Sequence, residues 1–295
     1  MLGKLIKHDF RSLSRVLLPT QLAILGATIL ATIGFAVNLK MDYSHVQING
    51  VLSLIRVITG LLSGIMVVAI IAASILVAFI IFQRFYKNLI SDEGYLTFTL
   101  PVTTTNILWS KLITAMIWTL ISSAVIFVCL NIFVLFGTGN DGFVNLDAYR
   151  AIGEALNAVN TAIGARVIWP ILEIILFILI AAANNILQIY LALIIGGVVS
   201  HKHKVLAGIG FYFAINFAVS MLMSIIQFLF SGSMLNSFNN LNGIQWENKN
   251  ALEIYNHLFG AIQPYYWFYL GLILALTVGY FLLSRYLLKN KLNLE

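Results

Sequence analysis

Two long apolar runs bracket a polar island, and that arrangement rules out a water-soluble fold. Val57–Phe82 runs about 26 residues without a charge and Leu112–Phe136 about 25. A helix needs roughly 20 residues to cross a hydrocarbon core some 30 Å thick, so each run is long enough to do so. Between them stands RFYKNLISDEGYLTFTLPVTTTNILWSK, residues 84–111. The island is too long for a tight turn and too patterned for a linker. Phe85, Tyr86, Leu89 and Ile90 recur at helical spacing, which predicts a short amphipathic helix. Gly94 is placed to end it, and Leu100-Pro101 forces an extended step. Thr103, Thr104 or Thr105 can cap the helix that follows. A structured helix in a water-side loop is a surface offered to a partner.

Composition agrees. Charged residues make up 9% of the chain and hydrophobic ones 60%, against about 25% charged in soluble domains. Six spans are predicted, at about 16–37, 57–82, 112–136, 167–195, 205–230 and 265–284. The fourth apolar run continues to Val199, but Gly196-Gly197 is expected to end its helix early. None of the runs alternates with a period of two, so the fold class is an all-α membrane protein and not a barrel. Residues 16–295 then form one transmembrane domain, with the cytoplasmic loop 84–111 inside it.

Basic residues set the orientation. With the N-terminus inside, twelve Lys and Arg fall in cytoplasmic segments and five outside, a positive-inside pattern that places both termini in the cytoplasm. The net charge of +6 needs no nucleic acid partner, because anionic lipid headgroups account for it. Residues 1–15 read as an amphipathic interfacial helix. Leu2, Leu5, Ile6, Phe10 and Leu13 form one face, and Lys4, Lys7, Arg11 and Arg15 flank it. That helix is either a topogenic anchor or a surface that also touches a cytoplasmic partner. The apolar run after it is too long for a signal peptide, and five more follow. The lone Cys129 can form no intramolecular disulfide.

Outside, Ala148, Ile152, Leu156, Val159 and Ile163 make a helical stripe in the segment 137–166. ALEIYNHLFGAI (residues 251–262) is a second short amphipathic piece, after an Asn-, Ser- and Gly-rich loop that begins at Ser231. These helices either cap an exit pathway or merely close their loops. PYYWFYLG (residues 264–271) supplies an interfacial aromatic belt.

Polar residues within spans are costly and therefore informative. Glu173, Phe177, Ile180, Asn184 and Gln188 share one face of the fourth span, and Asn216, Ser220, Met223 and Gln227 one face of the fifth. Helix–helix hydrogen bonding is the plain reading of such amides. The candidates for a translocation path are Glu173, Asn184, Gln188, Asn216 and Gln227. Glu173 can equally pair with Arg166 or reach water. No Walker sequence, nucleophile elbow or H-E-x-x-H pattern is present. The His201–Lys204 run lacks further ligands for a metal. The chain is expected to do no covalent chemistry, to have no catalytic or metal residues, and to bind no cofactor itself.

The island carries a family resemblance. Its core, Ser91 to Val102 (SDEGYLTFTLPV), resembles the coupling loop of ABC exporter permeases of the type-2 class, in the small six-helix subgroup found in Gram-positive bacteria. The resemblance in layout extends over nearly the whole chain. The sizeable external segment 137–166 departs from it. The resemblance implies a permease subunit in a bacterial plasma membrane, pairing with a second permease, a homodimer being expected. It also implies two separate ATPase subunits that bind ATP and Mg. Carried over residue by residue, coupling to the ATPase falls on Phe85, Tyr86, Leu89, Asp92, Glu93, Gly94 and Tyr95. The cargo implied is an amphipathic peptide, toxin or drug. A secondary transporter or channel, and a non-transporting immunity or scaffold protein, are the alternatives.

Overall fold

A computed structural model describes residues 2–40, 50–91, 94, 99, 101–137, 146–200, 202–242 and 251–290. Among them the chain is helical and contains no strand. The elements are α1 (Leu2–Lys40), α2 (Gly50–Leu89), α3 (Thr104–Gly137), α4 (Asp147–Ile163), a 3-10 turn (Gly164–Val167), α5 (Ile168–Val199), α6 (Lys204–Asn242) and α7 (Ala251–Asn290). Among the described residues five stretches are long and apolar enough to cross a membrane: Leu2–Ala36, Thr104–Phe136, Gly164–Val199, Lys204–Gly232 and Leu252–Asn290. The predicted run Val57–Phe82 lies inside α2. Large apolar side chains stand open on the surface, with Phe228 78% and Leu206 74% exposed, as hydrocarbon solvent permits and water does not. The protein is an all-α, multi-pass membrane protein.

Several boundaries differ from the sequence reading, always in the direction of longer helices. No break separates residues 1–15 from the first span. α1 continues through both for 39 residues, with Pro19 inside it. At 1.5 Å per residue such a helix is about 58 Å long, nearly twice the hydrocarbon core. Its first turns carry Lys4, Lys7, Arg11 and Arg15, all exposed, while Leu13 is buried. Likewise 84–89 is no separate helix but the last turns of α2. The Ala251–Ile262 piece runs unbroken through Pro264 into the last span, and the first part of the predicted loop, 231–242, is the end of α6.

The chain forms two compact units, Met1–Arg84 with Ile113–Ala155 and Phe85–Leu112 with Leu156–Glu295. In the first, α1 and α3 are neighbours. Gln21 Nε2 donates to Ser122 Oγ at 2.6 Å, Phe10 stacks on Trp118 at 5.0 Å and Phe35 meets Phe133 at 5.2 Å. Ile24 and Cys129 bury together between them. The partner numbers rise together, so the two helices run parallel, which requires the 40-residue α2 to carry the chain back.

In the second unit α5 packs against both α6 and α7. Gly196 does not stop α5, which runs on to Val199; it lets α6 approach. A Cβ at Gly196 would lie 2.3 Å from the backbone nitrogen of Gly208, so the two backbones touch, as small residues allow in membranes. The turn between them is held by Ser200 Oγ, which accepts from the His203 N–H at 3.2 Å. α7 runs parallel to α5, with hydrogen-bonded partners 89 to 93 residues apart along the whole seam.

Candidate functional site

Of the predicted coupling residues, Phe85 and Leu89 are buried, at 1% and 0% exposure. They are one helical turn apart and point into their own unit, where the Phe85 ring lies flat on Tyr190 of α5, 3.7 Å between centroids and 11° between planes. The apolar face that the sequence offers to a partner is thus covered within the chain, by the stack on Tyr190. Tyr86 is half-buried and Lys87 exposed on the other side of the turn. Gly94 is buried, and its N–H donates to the Ser91 carbonyl at 2.7 Å. Asp92, Glu93 and Tyr95 lie outside the described residues.

The segment is tied to the membrane helices at two further points. Tyr190 donates its hydroxyl proton to the Lys111 carbonyl at 3.3 Å, and Lys204 Nζ reaches the Ile90 carbonyl at 3.4 Å. Leu89, Ile90, Leu108, Leu187 and Ile194, at these same helix ends, are each 1% exposed or less. Trp109 meets Phe281 of α7 at 4.9 Å. Of the three threonines able to cap α3, Thr103 does so: its Oγ accepts from the Asn106 N–H at 3.4 Å. Through Phe85, Ile90, Trp109 and Lys111 the described residues of this segment are thus fastened to α5, α6 and α7.

The predicted polar stripe of α5 faces α7. Glu173 accepts from Gln263 Nε2 at 3.3 Å, and its backbone carbonyl takes the Tyr266 hydroxyl. Its carboxylate partner is therefore an amide and not Arg166, whose carbonyl instead accepts from Tyr255. Asn184 Nδ2 donates to Thr277 Oγ1 at 3.0 Å and to the Ile273 carbonyl at 3.4 Å. Continued at the same spacing, the seam brings Gln188 opposite Tyr280. Gln188 Nε2, Tyr280 OH and Ser284 Oγ are buried without a hydrogen-bond partner.

Two clefts open beside this seam. One, of about 440 Å³, lies among α5, α6 and α7 and includes Asn184, Asn185, Ser220, Met223 and Tyr269. The other, of about 620 Å³, lies between α6 and α7 and includes Met223, Gln227, Phe230, Phe268 and Tyr269. Asn184 and Gln227 therefore reach clefts. Asn216 is half-buried but lines neither, and Gln188 is buried away from both. Among the described residues no three metal-ligating side chains gather.

Sequence reasoning missed the α7 wall. Thr277, Tyr280 and Ser284 recur at three- and four-residue steps, a signal present but overlooked beside the aromatic belt. It also missed Asp9, which is buried at 5% exposure although it is the only acid among the first fifteen residues. No protein-family model, curated protein or solved structure matches the chain.

Proposed function

We propose that this chain is the permease subunit of an ATP-driven exporter in a bacterial plasma membrane. It crosses the membrane six times with both termini in the cytoplasm, α2 supplying the span beyond the five above. It works with a second permease, a copy of itself, and with two separate ATPase subunits that bind ATP and Mg. The cargo is an amphipathic peptide, toxin or drug. The chain holds no nucleotide; its part is to convert movement of the ATPase into movement of helices.

One observation carries this reading. The segment 85–112 belongs to the same unit as α5–α7 and is joined to α5 by the flat Phe85–Tyr190 stack. A load applied to the exposed side of that segment passes into α5. About two turns further along that helix, Asn184 lines a cleft. Side chains at such a joint have two duties, packing and transmission, and Tyr190 separates them. Tyr190→Phe keeps the ring and removes the hydroxyl that bonds the Lys111 carbonyl at 3.3 Å. Tyr190→Ala loses the stack as well. With the ATPase co-expressed, Tyr190→Phe retains export, whereas Tyr190→Ala hydrolyses ATP with export reduced or lost. Normal export by a folded Tyr190→Ala variant contradicts the proposed route of coupling.

A further inference from the structure

The two clefts differ in chemistry and share a wall. Met223 and Tyr269 line both. On one side of them the chamber is mostly apolar and aromatic, with Ile226 and Phe230 of α6 and Pro264 and Phe268 of α7 beside a single amide, Gln227; the Phe230 and Phe268 ring centroids lie 4.7 Å apart. Its volume of about 620 Å³ is that of an ordinary ligand pocket. On the other side Asn184, Asn185 and Ser220 stand together with Phe177. A mostly apolar chamber adjoining a more polar one, with Met223 and Tyr269 common to both, matches a molecule with a tail and a head.

The hydrogen bonds select the head. The Asn184 amide spends its nitrogen on Thr277 and Ile273, and Asn185 donates to the Ala181 carbonyl at 2.9 Å. Both carbonyl oxygens are left to accept, while one Asn185 N–H and the Ser220 hydroxyl remain as the donors on this side. No Lys, Arg, Asp or Glu lines either cleft among the described residues, so a charged head of either sign is desolvated with no counter-charge, and an anion has nothing to offset that loss. Aromatic faces at Phe177 and Tyr269 favour a cation over an anion. The exposed surface of α6 beside the clefts is apolar, Phe217 being 67% exposed, which suits an amphiphile that arrives from the bilayer.

We propose that the joined clefts of α5, α6 and α7 bind one amphiphile whose head donates hydrogen bonds (hydroxyl, amide or ammonium) and is not anionic. Naming that molecule as cargo rests on the export reading; its binding does not.

The test uses the full chain alone in nanodiscs of zwitterionic phospholipid, in a Cys129→Ser, Ser220→Cys background. Modification of the cleft thiol by a small neutral reagent is timed against dodecylamine, dodecyl glucoside and dodecyl sulfate at equal membrane fractions. The first two should slow modification saturably by about tenfold, equivalent to about 1.4 kcal/mol, and the sulfate should have little effect. Met223→Trp, which fills the shared wall, should abolish protection. Equal protection by the sulfate, protection that never saturates, or protection that survives Met223→Trp overturns the site. So does a thiol already shielded before any probe is added, since bilayer lipid or a second copy of the chain would then be the occupant. Because no ATPase is present, these outcomes stand whatever a transport assay shows.

Discussion

Gly196 offers a sharp quantitative test of the fold. A Cβ there would lie 2.3 and 2.6 Å from backbone atoms of Gly208 and 2.9 Å from the Lys204 carbonyl. None of these is the end of a flexible side chain, so α6 must back away by about 1 Å to restore ordinary contact, and neither helix can yield locally. Overpacking of this kind costs about 1–3 kcal/mol. Against it stands the gain of about 1 kcal/mol from placing alanine where a helix held glycine. The net for Gly196→Ala is a loss of up to about 2 kcal/mol, because the backbone clash outweighs the gain in helix propensity. Gly208→Ala meets Leu193 Cδ2 at 3.0 Å and the Leu193 Cα at 3.3 Å, and should cost less because the leucine tip can rotate and the backbone has only a few tenths of an ångström to give. Gly210 has nothing within 4 Å, so Gly210→Ala should be neutral or stabilising. Thermal unfolding of the three purified variants in one detergent reads the order directly. If Gly196→Ala melts at or above the native protein, α5 and α6 do not cross at these glycines.

Further outcomes follow from the same contacts. Gln188→Leu, which removes a buried donor that lacks a partner, should leave stability unchanged or raised, since apolar replacement of such a group is nearly free; marked destabilisation would show that Gln188 is engaged. Gln21→Leu should lose about 0.6–2 kcal/mol with its 2.6 Å bond to Ser122, and Gln21→Leu combined with Ser122→Ala should lose little more; additive losses in a double-mutant cycle would deny the bond. Cysteines at Asn49, Asn140 and Asn242 should react with an impermeant thiol reagent from outside the cell, and those at Ser91 and His201 should not; the reverse pattern inverts the proposed orientation.

The membrane class was legible because long runs without a charge dissolve in hydrocarbon and not in water. The parallel pairing of α5 with α7 was half legible. The α5 stripe from Glu173 to Gln188 pointed to a buried face, but nothing local named its partner, since Thr277, Tyr280 and Ser284 are modest polar residues beside a conspicuous aromatic cluster. Helix ends were misjudged where a local breaker was overruled. Gly196 sits in a helix because a neighbouring backbone needs the room. Pro19 and Pro264 each cost one backbone bond in helices of 39 and 40 residues. The Phe85–Leu89 face was correctly read as apolar, and within the chain it is buried, with Phe85 stacked on Tyr190. Helical spacing shows that a face will be covered, not by what, and the covering residue, Tyr190, lies more than a hundred positions away.

The central claim is that the 84–111 segment receives an ATPase. The most direct measurement places a photo-cross-linking amino acid at Lys87, which is exposed, in the chain purified with its co-expressed ATPase, and follows cross-linking through the hydrolytic cycle. The account predicts a cross-link to the ATPase subunit that strengthens or weakens with ATP and is absent when the same cross-linker stands at Asn157 of α4. It also predicts that ATP hydrolysis disappears when the partner is removed. Hydrolysis that stays with the isolated chain, or cross-links from position 87 that reach only lipid in every nucleotide state, would contradict it.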